Sequence, residues 1–138
     1  MIYWYFLCYN QVYKRLQKDI NMCIFCKIVN KEIPNNSVAE NENFLAFHDL
    51  YPKAPIHILI IPKQHVDCFQ DISPETMADM TAFMQEVATK VGVNETGYRL
   101  ITNNGEDGAQ EVKHLHFHML GGAKIPWDHT HEDNNKSL

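Results

Sequence analysis

His114-Leu115-His116-Phe117-His118-Met119-Leu120 alternates imidazoles with apolar side chains over its whole length. Side chains on a strand alternate faces, so His114, His116 and His118 share one face, with neighbours about 6.6 Å apart at two residues' rise. Leu115, Phe117 and Met119 share the other face and belong in a core. Three imidazoles in a row contribute little to folding and are poor strand formers. A merely solvated face is the weaker reading, because the apolar partners fix which way the strand turns. Catalysis and metal chelation are the two remaining uses for such a row.

Outward from this stretch the pattern is that of one domain. The chain has 138 residues and 45% hydrophobic content, enough for a single core and too little for a second. Cys23 to about Asn30 reads as a short helix with Phe25, Ile28 and Val29 on one side. Short strands fit Ser37–Glu40 and Phe44–His48. His57-Ile58-Leu59-Ile60-Ile61 is a β-branched strand, apolar on both faces and stopped by Pro62, which suggests an interior place in the sheet. Ser73 is an N-cap with Pro74 at the first helical position. Met77, Met80, Phe83, Met84, Val87 and Val91 form the apolar stripe of a long helix that Gly92 ends. Tyr98–Thr102 is the next strand, and a Gly-rich turn at Asn103–Gly108 leads to the histidine strand, closed by Gly121-Gly122. This order predicts an α+β fold with an antiparallel sheet of about five strands, one long helix and one short.

Residues 1–21 read as an extension, disordered or non-native. Their apolar run, Met1 to Tyr9, precedes its basic residues Lys14, Arg15 and Lys18, the reverse of a secretion signal. Met22 is a conceivable alternative start. The domain is expected over 22–127, with a polar tail over 128–138. A net charge of −5 argues against a broad nucleic-acid footprint, but leaves room for a nucleotide in a small pocket. No apolar stretch approaches the ~20 residues that span a bilayer. The cysteines Cys8, Cys23, Cys26 and Cys68 lack the pattern of a disulfide scaffold, so a reduced cytoplasmic setting, compatible also with the nucleus, is expected.

Cys23-x-x-Cys26 is half of a tetrahedral metal site. Two small buried thiols are the plain alternative, and a thioredoxin-like role lacks its strand-then-helix setting. His65, His129 and His131 read as surface or tail residues. Asp49, taken alone, is a turn residue.

The alternating trio resembles the signature of the histidine-triad (HIT) family, and the resemblance runs from about Cys23 to Trp127. Cys23–Ile28, Ala46-Phe47-His48-Asp49 and His57–Lys63 resemble further blocks of that family. Asn103-Asn104-Gly105, Gln110-Glu111-Val112 and Gly121-Gly122…Trp127 are closest to its Hint branch of nucleoside phosphoramidases. The resemblance implies two such sheets paired in a homodimer, with Trp127 reaching the neighbour's site to select substrate. It implies hydrolysis of purine nucleoside phosphoramidates, AMP joined to an amine or lysine, through a nucleotidyl-histidine intermediate. His116 would be the nucleophile, and a protonated His118 would steady the phosphoryl oxygens. His114 would orient the site or share a proton relay with His57.

The same resemblance assigns Asn103, Gly105, Ala109, Gln110 and Glu111 to the phosphate and Asp49 to the ribose hydroxyls. It assigns Phe25, Ile28, Phe47, His48 and Leu50 to the base. Two positions depart from the animal Hint pattern: Ala109 stands for a glycine, and Glu111 for a serine that contacts phosphate. No cofactor is implied for the chemistry. Zinc-containing members suggest a structural Zn²⁺ on Cys23, Cys26, His57 and His114. The rival functions are cleavage of dinucleoside polyphosphates, as in the Fhit branch, and a zinc-containing interaction module with little turnover.

Overall fold

The computed structural model describes residues 23–127. The readings of residues 1–21, Cys8, Met22, His129, His131 and the tail over 128–138 lie outside them. The order is α1 (Ile24–Val29), β1 (Ser37–Glu40), β2 (Phe44–His48), β3 (Ile56–Pro62), α2 (Pro74–Val91), β4 (Tyr98–Ile101) and β5 (Phe117–Gly121). The strands form one sheet in the order β1-β2-β3-β5-β4, and every neighbouring pair is antiparallel. The expected α+β architecture is thus present, with β3 at its centre. That position follows from β3's composition, since a strand apolar on both faces must be covered on both.

Alternation along β3 and β5 divides the buried residues between two layers. Ile58, Ile60, Phe117 and Met119 face α2, where they meet Met80, Phe83, Met84 and Val87. Leu59 and Ile61 face the other way, towards Phe25, Ile28 and Phe47 under α1. The methionine stripe of α2 is therefore core. Ser73 caps α2 by accepting the Thr76 N–H, and Gly92 closes it in the left-handed conformation at φ 80°.

Strand boundaries differ from the sequence reading, most consequentially at the end of β3 and the start of β5. Pro62 is the last residue of β3 rather than its stop. The histidine stretch enters the ladder only at Phe117, because its first carbonyls have other partners. His114 O accepts the His116 ring N–H at 2.8 Å, and His116 O accepts the Thr102 hydroxyl at 2.8 Å. A 3-10 turn at Phe69–Asp71 follows β3, with no periodic signal in its three residues.

Candidate active site

β3 and β5 pair so that His57 lies opposite Leu120 and His118 opposite Leu59. The two histidines are therefore diagonal neighbours on the face away from α2, within reach across the ladder. Their rings meet at 2.9 Å, His57 Nε2 to His118 Nδ1. Asp49 Oδ2 lies 3.4 Å from the same His57 nitrogen. The His116 ring packs at 5.1 Å from His118 on one side and 5.1 Å from Phe25 on the other.

Hydrogen bonds settle where the protons sit. The Lys53 N–H donates to His57 Nδ1 at 3.1 Å, so a neutral His57 carries its proton on Nε2. That proton faces His118 Nδ1, so a neutral His118 holds its own on Nε2. His116 donates Nδ1–H to the His114 carbonyl, which leaves the Nε2 lone pair free to attack. Burial, then the neighbouring His116 and His57, lower His118 to about 4, and burial lowers His57 as well. His118 is consequently neutral at pH 7 in the free protein. Its Nε2–H can still donate to an oxyanion.

His114 is removed from any relay with His57. It is fully buried, donates Nε2–H to Pro62 O at 2.8 Å, and turns Nδ1 towards Cys23 Sγ at 3.4 Å and Cys26 Sγ at 3.5 Å. His65 completes this group, with Nδ1 at 3.3 Å from Cys26 Sγ and Nε2 at 2.7 Å from Asp67 Oδ1. Cys23, Cys26, His65 and His114 could hold a metal ion, their ligand atoms all lying within 4.8 Å of one another.

Two assignments are corrected here. His65 is not a plain surface residue, and it takes the place expected of His57. His57 stands on the far side of the trio, with one ring nitrogen occupied by the Lys53 N–H and the other protonated. The donor set suits a tetrahedral ion: bonds of about 2.3 Å to sulfur and 2.1 Å to nitrogen set S···N separations of roughly 3.6 Å. Both imidazoles also have their second nitrogen donating to an oxygen, the arrangement that orients metal-bound histidine. Burial, reinforced by Cys23, pushes the Cys26 thiol up to about 12, so a thiolate at Cys26 requires a bound cation. Spacing could have flagged His65, three residues beyond the β3 strand end, only if the path of the chain after Pro62 were known.

The turn expected to meet phosphate is a closed loop. Gln110 cinches it, accepting the Gly105 N–H at 3.0 Å and donating to Asp67 O at 2.6 Å and Val112 O at 2.9 Å. The amide of Gln110 thus shapes the loop, and the Gly105 N–H is already taken. Ala109 holds a left-handed φ of 57°, a conformation natural to glycine and costing alanine about 1 kcal/mol. Glu111 is exposed. Phe25, Ile28 and Phe47 form one buried wall, whereas His48 and Leu50, the latter 86% exposed, lie outside it. Asp49 also accepts the Tyr51 N–H at 2.8 Å, so it caps its turn while its other oxygen faces His57. Trp127 is 76% exposed and lies against the Arg99 guanidinium at 5.1 Å. No helix of the described residues is long and apolar enough to cross a membrane.

The HIT domain model matches residues 30–125. The chain belongs to the HIT family. An uncharacterized HIT-like protein of Helicobacter pylori is 52% identical over 103 residues, 75% of this chain and 99% of that one. A HIT family hydrolase from Legionella pneumophila is 44% identical with a TM-score of 0.73, covering 76% of this chain and 96% of that one. A histidine triad nucleotide-binding protein from Candida albicans is 31% identical with a TM-score of 0.68, covering 80% and 86% respectively.

Proposed function

We propose that the protein hydrolyses purine nucleoside 5′-phosphoramidates, releasing AMP through a nucleotidyl-His116 intermediate. The observation that carries this reading is the His116 Nδ1–H bond to the His114 carbonyl at 2.8 Å, which leaves Nε2 as an unprotonated nucleophile. The names of the Legionella and Candida relatives support hydrolysis and nucleotide binding as its general class.

The substrate enters with its bridging nitrogen protonated. The Nε2 lone pair of His116 forms a bond to the α-phosphorus as the P–N bond breaks, and the amine leaves with its proton. His118 Nε2–H donates to a phosphoryl oxygen as charge develops there. Water then attacks phosphorus from the opened side, loses a proton to solvent, and His116 leaves as a neutral ring still bonded to the His114 carbonyl. Two in-line displacements give net retention. Asp49, an acceptor with capacity beyond the Tyr51 N–H, takes the ribose hydroxyls. Phe25, Ile28 and Phe47 supply the apolar wall for the purine.

Cys23, Cys26, His65 and His114 hold zinc in this reading, and its role is structural: it ties α1 to the segment that carries the trio. The protein acts as a homodimer joined along β4, whose Tyr98 and Leu100 are exposed on an edge strand. A panel of AMP-amine conjugates, adenylated lysine and diadenosine polyphosphates tests the substrate class. Turnover of the phosphoramidates in preference to the polyphosphates is expected; the opposite order makes the protein a dinucleoside polyphosphate hydrolase.

A further inference from the structure

One short segment joins the metal cluster to the phosphate loop. His65 turns Nδ1 to the cysteines, and Asp67, two residues on, accepts its Nε2–H at 2.7 Å. The main-chain carbonyl of the same Asp67 accepts the Gln110 amide at 2.6 Å, and Gln110 in turn accepts the Gly105 N–H at 3.0 Å. Between them, Val66 O accepts the Leu115 N–H at 2.6 Å. Further along, the Gln70 N–H donates to Asn104 Oδ1 at 3.1 Å. The segment 65–70 is thus anchored on the metal cluster at its start and carries the 103–110 loop along its length.

Without a cation, the anchor is weak. His65 meets Cys26 through one sulfur contact, and sulfur is a poor hydrogen-bond partner. The Asp67 side chain is 62% exposed, so water competes for its bond to His65. Metal–ligand bonds to His65 hold the ring in one orientation, and a fixed ring holds Asp67.

We propose that metal bound at Cys23, Cys26, His65 and His114 sets the affinity of the 103–111 loop for the nucleotide phosphate, with Asp67 as the positioning residue that links the two. The proposal rests on the nucleotide reading above. Coupling of this kind is reciprocal, so the phosphate must raise metal affinity by the same factor that metal raises phosphate affinity. Asp67 and Gln110 act on the phosphate loop, whereas the adenosine wall holds Phe25, which stands between Cys23 and Cys26 and packs against the His114 ring at 5.8 Å. The metal touches both, and only the Asp67 path is specific to phosphate.

Calorimetric titration of AMP and of adenosine into the whole protein, zinc-loaded and chelator-stripped, tests this. AMP should bind at least about fivefold more weakly to the stripped protein, with zinc affinity, measured against a chromophoric chelator, rising by that same factor when AMP is present. Adenosine affinity should fall by a smaller factor than AMP affinity, since Asp67 adds its effect on the phosphate to any change at Phe25; an equal fall for both ligands overturns the link. Equal AMP affinity in both forms, with both folded by circular dichroism, overturns the coupling and leaves the nucleotide reading standing. Failure of AMP to bind either form overturns both.

If stripping unfolds the chain, zinc-loaded Asp67→Ala replaces the stripped form. Loss of a negative charge near the loop would by itself strengthen AMP binding. A fall in AMP affinity with adenosine unchanged therefore supports the link, and unchanged or stronger AMP binding overturns it. Gln110→Ala, which cuts the same path at its other end, should keep the zinc affinity of the free protein but lose the gain that AMP brings.

Discussion

His116 has one free ring nitrogen, set by a single hydrogen bond to its neighbour's carbonyl. Removing the ring takes away the nucleophile while Leu115 and Phe117 still anchor the segment in the core. His116→Ala should lower phosphoramidate turnover by several powers of ten, as loss of a covalent nucleophile does elsewhere. AMP affinity should change little, and no nucleotidyl adduct should be detected by mass spectrometry of the quenched protein. Asp49 poses a finer question, because one oxygen caps the Tyr51 N–H and the other faces His57. A charged acceptor bonds roughly twice as strongly as a neutral amide. Asp49→Asn should therefore erode the preference for ribose over deoxyribose substrates more than it slows chemistry. An equal change for both substrates would show that Asp49 serves only its turn. The turn role of Asp49 is readable from its place before a Pro-flanked loop, and the ribose role is what the family resemblance implies; its contact with His57 is in neither, since it depends on the β2–β3 register.

At the scale of elements, the 103–111 loop is closed tightly at Gly108. A Cβ on Gly108 would stand 2.6 Å from Asn104 O and 2.8 Å from Asn104 N, so a side chain there must push backbone aside. Gly108→Ala should open the loop that Gln110 closes, and AMP should bind more weakly while adenosine binds as before. Comparing the two ligands by calorimetry checks this, and an unaltered AMP affinity would mean the loop does not hold phosphate. The turn itself was legible in Asn103–Gly108. Its closure was not, because the partner of Gln110 is the Asp67 carbonyl, 43 residues away in sequence.

At the scale of the molecule, stability depends on two imidazoles, His114 fully buried and His118 partly so, and on the cluster beside them. Burial lowers both His114 and His118 from 6.5 to about 4. Between those values the unfolded chain binds protons that the folded chain refuses. Their contribution is complete above about pH 6.5 and declines as pH falls towards 4. The slope reaches at most about 1.4 kcal/mol per pH unit for a fully buried ring, and the half-exposed His118 contributes less because water screens it. Urea denaturation of the zinc-free protein at pH 7 and pH 5 should show this loss, and a flat profile would contradict it. Zinc adds a second layer of the same sign. Chelation should lower the melting temperature at pH 7 and have less effect at pH 5, where protons compete for thiolate and imidazole. Elemental analysis of protein purified without added metal gives the occupancy directly.

Local pattern alone determined which helices and strands form and in what order. Ser73-Pro74 and Gly92 bound α2 to the residue, and the double-faced apolar run at Ile58–Ile61 placed β3 inside the sheet, because caps and burial periodicity are properties of contiguous residues. The alternation of His114, His116 and His118 likewise set these imidazoles apart from Leu115, Phe117 and Met119, which pack in the core, while leaving catalysis and metal chelation both open. The left-handed φ of Ala109 suits the glycine that the family resemblance puts there. What only the tertiary structure decided is which distant groups meet. It joined His65 rather than His57 to Cys23, Cys26 and His114, and gave His118 a neutral ring by burying it against His57. Each of these turns on strand register and on the path of the chain after Pro62, where a shift of one residue would send the ring to the other face of the sheet.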